Sequence, residues 1–291
     1  MRGEPRVTRV HANDTDLAVH DWGGDGPNVM LVHATGLSAR TWDPVVATLP
    51  EDWHVMAIDL RGHGLSPAPD PVAPRFRWRL FGEDIAAAIE ALRLDDVLVV
   101  GHSMGGHSAV AAALEAPERI GRLLLLDPTL SARPPEGTPP PAEAAEQPAA
   151  RRRSTWASPE EFFDRLRGQR PFATWDEAAL RAYAASGLLP DPTIEGYRLA
   201  CPPLFEASVY AGRDTASLDD ELPNVRARVS VVRARDRQPD DPPGLGPSAT
   251  RPEAVRLFPQ VRDRQLPEAS HFFPLEMTGV VRGLIEDALA W

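Results

Sequence analysis

Five residues, Gly101-His102-Ser103-Met104-Gly105, set a serine between two glycines at a spacing suited to nucleophilic chemistry. The apolar run Val97 to Val100 precedes them, and a helix-like stretch from Ser108 to Glu115 follows. Buried strand, Gly-x-Ser-x-Gly and helix, in that order, are the parts of a nucleophile elbow. The flanking glycines let the backbone turn sharply without side-chain collisions, so the serine hydroxyl stands clear of the sheet. The Met104 amide, at the positive end of the new helix, points to where an oxyanion would form.

A serine hydroxyl is a weak nucleophile and needs a base, usually histidine. The chain has eight histidines. His11 and His20 fall on edge strands and His54 starts a strand; His102 and His107 flank the elbow, where His102 is a candidate pocket-wall or packing residue. His33 and His63 belong to turn motifs. His271 follows the final strand-like run, which places it in a loop at the same sheet edge as Ser103. It is the expected base.

The base needs an acid to fix its tautomer and stabilise the imidazolium. Two aspartates close strand-like runs between Ser103 and His271: Asp127, after Leu123 to Leu126, and Asp236, after Val229 to Arg235. Asp236 is expected, because it follows the strand nearer the histidine. Asp127, directly before Pro128, is the alternative; Asp240 and Asp241, in a Pro-rich loop, are weaker ones. The second oxyanion donor belongs to the turn after the third strand. Val32-His33-Ala34-Thr35-Gly36 fills that place, so the Thr35 and Met104 amides form the expected hole, with His33 bracing the loop.

These residues must be carried by an alternating fold. Strand-like runs occur at Val7–His11, Leu17–Trp22, Val29–His33, His54–Ile58, Val97–Val100, Leu123–Leu126, Val229–Ala234 and Arg262–Leu266. The first two alternate in polarity, as an antiparallel edge does; the later ones are nearly continuous Val, Leu and Ile, as parallel strands covered on both faces are. Helices are predicted at Thr41–Leu49, Phe81–Leu92, Ser103–Glu115, Pro252–Phe258 and Thr278–Leu289. The sum is an α/β fold with a doubly wound, mostly parallel eight-stranded sheet.

The alternation breaks between residues 130 and 222, which read as an inserted helical cap between core segments 1–129 and 223–291. Arg133 to Pro148, crowded with Pro, Ala and Glu, reads as a mobile entry segment. Helix-like segments follow near Pro159–Arg167, Asp176–Ala185 and Pro192–Arg198. The cap holds all three tyrosines and much of the aromatic content. Trp156, Phe172, Trp175 and Tyr183, with His102, are the expected substrate-lining residues. The alternative, that cap aromatics form the cap's own small core, stays open.

Net charge is −11, and all 31 basic residues are arginine. An acidic chain repels phosphate backbones and anionic membrane surfaces, so neither nucleic acid nor membrane is an expected partner. Arg151-Arg152-Arg153 is too short a basic run to alter that. No signal-peptide pattern or membrane-length apolar run is visible, and the lone Cys201 fits a reducing, cytoplasmic setting. No metal-ligand spacing or phosphate-binding glycine loop appears, so no cofactor is expected. A monomer and a homodimer are equally compatible with the composition.

Taken together, the chain resembles the α/β-hydrolase superfamily, in its lid-bearing single-domain group of esterases, lactonases and related enzymes. The resemblance rests on His33-Ala34-Thr35-Gly36, on Asp59-Leu60-Arg61-Gly62-His63-Gly64-Leu65-Ser66, on Gly101 to Gly106, on Asp236, and on Ser270-His271-Phe272-Phe273-Pro274-Leu275-Glu276. It implies hydrolysis of a small ester-like molecule, an ester or lactone, through an acyl-enzyme. Thioester or carbon–carbon cleavage, acyl transfer and a non-catalytic receptor are the alternatives. It also implies a structural role for Arg61 to Gly64. Two departures matter: Ala34 stands where the oxyanion turn usually has glycine, and serine at the elbow disfavours epoxide and haloalkane chemistry, which needs aspartate there. The aromatic cap favours an uncharged or weakly charged apolar substrate, although Arg165, Arg167, Arg170 and Arg181 offer a carboxylate a place.

Overall fold

Continuous apolar runs become the central strands. The structure, a computed structural model, describes residues 2–135, 137–139, 142–213, 216–241 and 246–291. Its strands are β1 (Arg6–Ala12), β2 (Thr15–Asp21), β3 (Asn28–Val32), β4 (His54–Asp59), β5 (Val97–His102), β6 (Ile120–Leu126), β7 (Thr155–Trp156), β8 (Leu188–Pro190), β9 (Tyr197–Leu199), β10 (Arg228–Arg233) and β11 (Val261–Gln265). Eight form one sheet in the order β1-β2-β4-β3-β5-β6-β10-β11. Both pairings of β2 are antiparallel, and every other pairing in this sheet is parallel. The β1–β2 hairpin turns through Asn13, whose φ of 54° suits the tight primed turns that asparagine favours.

The helices are α1 (Asp43–Val46), α2 (Arg79–Ala91), α3 (Met104–Glu115), α4 (Pro159–Leu166), α5 (Glu177–Ser186), α6 (Pro203–Gly212), α7 (Pro252–Val255), α8 (Phe273–Glu276) and α9 (Thr278–Leu289). One apolar cluster joins α2, α3 and α7 to the sheet through Phe81, Ile85, Val110 and Val255. A second joins α1 and α9 through Val45, Val281 and Ile285. Both faces are therefore covered, which explains why β3, β5 and β6 have almost no polar positions. The strand order reverses between β3 and β5, and the chain leaves both strands at that switch point, the usual place for a ligand crevice.

Between β6 and β10 the chain forms a layer over this edge. Its α4 and α5 enclose a separate cluster built on Trp156, Phe162, Phe163, Trp175 and Tyr183. The layer is not purely helical. The helix predicted near Pro192–Arg198 is instead a turn leading into β9, which pairs antiparallel with β7 and β8. Asp191 captures the Thr193 amide at 2.9 Å and Gly196 takes a φ of 144°, so the local bonds oppose helix. Conversely, α6 has no counterpart in the sequence reading, although Pro203 occupies a first-turn position that proline favours. Phe205 and Val209 of α6 pack into the main core rather than the cap cluster.

The entry segment contains short 3-10 turns at Ala144–Glu146 and Pro148–Arg151. Its residues 136, 140 and 141 lie outside the described residues. Among the described residues no helix is long and apolar enough to cross a membrane.

Candidate active site

The elbow is formed by β5 and α3. Ser103 sits at φ 56° and ψ −118°, a conformation that costs a non-glycine residue energy and persists only where the surroundings enforce it. They do so here. The Ser103 amide bonds Leu126 O at 3.1 Å, and its carbonyl accepts from Gly106, His107 and Thr129 amides at 3.0, 3.2 and 3.0 Å. A Cβ on Gly105 would fall 2.5 Å from the carbonyl oxygens of Val32 and His33, so only glycine lets α3 approach β3 this closely.

The Ser103 hydroxyl lies 3.0 Å from His271 Nε2. His271 is buried in the loop between β11 and α8, held by its amide to Gly246 O at 2.9 Å. Its Nδ1 lies 2.6 Å from Asp127 Oδ2. Asp127 is buried and held at a φ of 44° immediately after β6. The Ala234 amide donates to its Oδ1 and the Ala249 amide to its Oδ2, each at 2.9 Å; the Ser248 hydroxyl donates to Oδ1 at 2.5 Å. Burial pushes this carboxyl up, but the histidine and these donors outweigh it and hold it below the ordinary range.

The expected acid, Asp236, is corrected by this geometry. Its side chain is 62% exposed and faces Arg233 NH1 at 3.6 Å. The cause is the path of the chain after β10. That strand end donates its Ala234 amide to Asp127 and its Arg235 amide to Ala269 O, which carries Asp236 away from the imidazole. Asp241 is occupied by Arg235 at 2.6 Å. Residues 242–245 of the same loop lie outside the described residues.

His102 also needs correction as a substrate-lining residue. It points behind the imidazole, where its Nε2 bonds His271 O at 2.8 Å, because neighbouring side chains at the elbow diverge. Burial pushes its pKa down to about 3, so it donates as a neutral ring and braces the His271 loop. His33 braces the opposite loop: Nδ1 donates to Ala34 O at 2.8 Å and Nε2 accepts the Leu60 amide at 3.0 Å. The segment after β4 is tied by Asp59 to the Ala39 amide at 2.7 Å, the Leu65 amide at 2.9 Å and His20 at 2.9 Å. Arg61 forms a buried pair with Asp84 at 2.8 Å. Cys201 is buried and its thiol is pushed well up by desolvation, so it is not a thiolate nucleophile.

Above Ser103 and His271 lies a cavity of about 170 Å³. Thr35, Phe172, Trp175 and Tyr183 line it, as expected. Trp156 does not. It packs on Phe162 at 4.7 Å between ring centres, under the Arg153 guanidinium, and belongs to the cap's own core. Among the described residues the Thr35 and Met104 amides have no backbone carbonyl partner, and the Thr35 hydroxyl lies 3.2 Å from Met104 Sδ. Thr35 and Ser103 line the same cavity, and Met104 directly follows Ser103 in the chain.

Several lining residues were not among those expected to line it: Thr129, with its hydroxyl 3.3 Å from Ser103 Oγ, and Arg152, Glu206, Tyr210 and Arg213. The signal for three of them was the four-then-three spacing of 206, 210 and 213 along α6. The arginines expected there do not line the cavity; Arg167 and Arg181 pair with Asp164 at 3.2 Å and Glu177 at 2.8 Å. Among the described residues no group of three His, Cys, Asp or Glu side chains is arranged to hold a metal ion.

Comparison with known proteins agrees with this architecture. The model of a family described as the alpha/beta hydrolase family matches residues 29–282. An esterase of Mycobacterium tuberculosis is 37% identical over 128 residues, which are 44% of this chain and 41% of that protein. A 2-hydroxy-6-oxononadienedioate/2-hydroxy-6-oxononatrienedioate hydrolase of Cupriavidus pinatubonensis is 34% identical over 134 residues, 43% of this chain and 44% of that one. The chain thus spans less than half the length of these curated relatives. The crystal structure of E-2-(acetamidomethylene)succinate hydrolase superposes with a TM-score of 0.78, covering 99% of this chain and 100% of that one at 22% identity.

Proposed function

The chain belongs to the alpha/beta hydrolase family, and from that premise we propose that it is a serine hydrolase cleaving a carboxylic ester or lactone of a small molecule through an acyl-enzyme. The observation that carries this reading is the unbroken relay from the Ser103 hydroxyl through His271 to Asp127, at 3.0 and 2.6 Å.

Asp127 keeps the proton of His271 on Nδ1, which leaves Nε2 free to accept from Ser103. The serine oxygen attacks the carbonyl carbon, and the Thr35 and Met104 amides take the oxyanion. Imidazolium forms beside a carboxylate that stays ionised, so the charge created in the step is balanced where it arises. His271 then protonates the leaving alcohol, activates a water in turn, and Ser103 is released by deacylation. The aromatic wall of Phe172, Trp175 and Tyr183 excludes bulk water from the attack. The lone Cys201 supports a cytoplasmic setting.

Release of p-nitrophenol from p-nitrophenyl butyrate by wild type and Ser103→Ala tests the assignment. Loss of a triad member costs roughly 10⁴-fold or more. A Ser103→Ala protein retaining a tenth of wild-type turnover would rule the serine out as nucleophile.

A further inference from the structure

Helix α6 sends a polar stripe into an otherwise aromatic cavity. Glu206, Tyr210 and Arg213 share one helix face and line the space above Ser103. The two charged members of this stripe differ in how they are paired among the described residues. Glu206 is paired with Arg152, whose second nitrogen also donates to the Tyr183 hydroxyl at 3.3 Å. Both members of this pair stand against the oxyanion turn: a Cβ on Gly36 would lie 2.8 Å from Glu206 Oε1 and 3.6 Å from Arg152 NH1. Together they contribute no net charge.

Arg213 has no such match among the described residues. Among the described residues the one hydrogen bond of its side chain runs from Nε to Ser131 Oγ, at 3.4 Å. Of the described carboxylates that follow it in the chain, Asp219 pairs with Arg251 at 2.5 Å, Asp220 with Arg133 at 2.6 Å and Glu221 with Arg79 at 2.6 Å; Asp214, directly after it, lies outside the described residues. Among the described residues no carboxylate pairs with this guanidinium, which lines a small cavity faced with Trp78, Phe172, Trp175 and Phe272. Tyr210 stands three residues before Arg213, and burial raises its hydroxyl pKa, so it remains a neutral donor. A guanidinium fork beside a hydroxyl matches the geometry of a carboxylate.

The reach is short. Ser131, which Arg213 contacts, is two residues beyond Thr129, and the Thr129 hydroxyl is 3.3 Å from Ser103 Oγ. The cavity of about 170 Å³ is scarcely larger than the ~150 Å³ that accommodates benzene.

We propose that the substrate is a half-ester or lactone whose short acyl chain ends in a free carboxylate, held by Arg213 and the Tyr210 hydroxyl while Ser103 attacks the carbonyl at the other end. The proposal rests on the serine-hydrolase reading and specifies its acyl group. In the reaction the Ser103–acyl bond forms as the carbon–oxygen bond to the alcohol breaks. Water then cleaves the acyl-enzyme, giving a dicarboxylate and restoring the serine proton.

The test compares mono-p-nitrophenyl glutarate with its neutral methyl ester in wild type, Arg213→Met and Arg213→Lys. Wild type is expected to favour the half-ester in kcat/KM by about ten-fold or more, the size of one charge-assisted contact. Arg213→Met should remove that preference, chiefly through KM, and Arg213→Lys should keep part of it. A wild-type preference for the neutral ester, or a ratio unmoved by Arg213→Met, overturns the proposal. Thermal shift with glutarate alone separates this from the catalytic reading. Stabilisation of wild type, and not of Arg213→Met, supports the anion site even if neither ester turns over. No stabilisation by millimolar glutarate counts against it even if both do.

Discussion

Exchanging Asp127 for asparagine changes almost no volume but reverses the hydrogen-bond logic at His271. Asp127 Oδ2 now accepts from Nδ1 at 2.6 Å, while its two oxygens together also accept from two amides and from the Ser248 and Thr250 hydroxyls. An asparagine in this place has one accepting oxygen and an NH₂. If the NH₂ faces His271, it donates to Nδ1, forces the ring proton onto Nε2 and leaves no base for Ser103. If the oxygen faces His271, the NH₂ confronts the Ala234 amide and Ser248 hydroxyl, and a buried donor loses its partner at about 1–3 kcal/mol. The first outcome is the wrong tautomer, which in a serine-protease triad lowers kcat about 10⁴-fold, or about 5 kcal/mol at the transition state. Asp236→Asn removes only an exposed carboxylate 3.6 Å from Arg233 and should leave activity within about two-fold, as surface charge changes usually do. The assay is kcat/KM on p-nitrophenyl butyrate for both variants, with circular dichroism to confirm folding. A folded Asp127→Asn enzyme with more than a tenth of wild-type activity, or an Asp236→Asn enzyme crippled a hundred-fold, would refute the reasoning.

The buried histidines set an acid limit on stability. His63, His102 and His107 are pushed down to about 3, 3 and 4 by burial, whereas an unfolded histidine protonates near 6.5. Between those values the unfolded chain binds more protons, so stability falls as pH drops from about 6.5, by up to ~1.4 kcal/mol per unit for each. Urea denaturation at pH 7 and 5 should differ by about 4–6 kcal/mol; equal stabilities would contradict the assigned burial. Gly105→Ala puts a methyl 2.5 Å from two backbone carbonyls of the β3 turn and should cost about 1–3 kcal/mol, with kcat/KM falling because the Met104 amide shifts with α3. A soluble, fully active Gly105→Ala protein would mean the elbow is not that tight. Phe162→Ala empties a fully buried position of the cap cluster and should lower stability by about 3–5 kcal/mol, read as a fall in Tm.

What could be read from the sequence was what local chemistry dictates. Uninterrupted apolar runs such as Leu123 to Leu126, short and bounded by polar residues, suit central parallel strands, and all eight core strands lie where their patterns put them. The elbow was readable because strand, glycines and helix all sit within a few residues of Ser103. His271 was readable because few histidines follow a strand. The acid was not, because Asp127 and Asp236 both leave neighbouring strands at one sheet edge. What separates them is the loop that brings the Ser248 hydroxyl and Ala249 amide onto Asp127, a contact more than a hundred residues apart in sequence. Trp156 and Trp175 look alike as cap aromatics and both join the cap cluster, yet tertiary packing puts only Trp175 on the cavity wall as well. The α6 stripe was masked because Pro202-Pro203 resembles a helix breaker, although proline at the first turn is a helix start.

The central claim is that Ser103 is an activated nucleophile, and covalent modification reads this without choosing a substrate. The native protein should react with a fluorophosphonate probe to one adduct per chain, found by peptide mass spectrometry on Ser103, with labelling abolished in Ser103→Ala and strongly slowed in Asp127→Asn. Native protein that stays unlabelled, or carries its adduct on another residue, would contradict it.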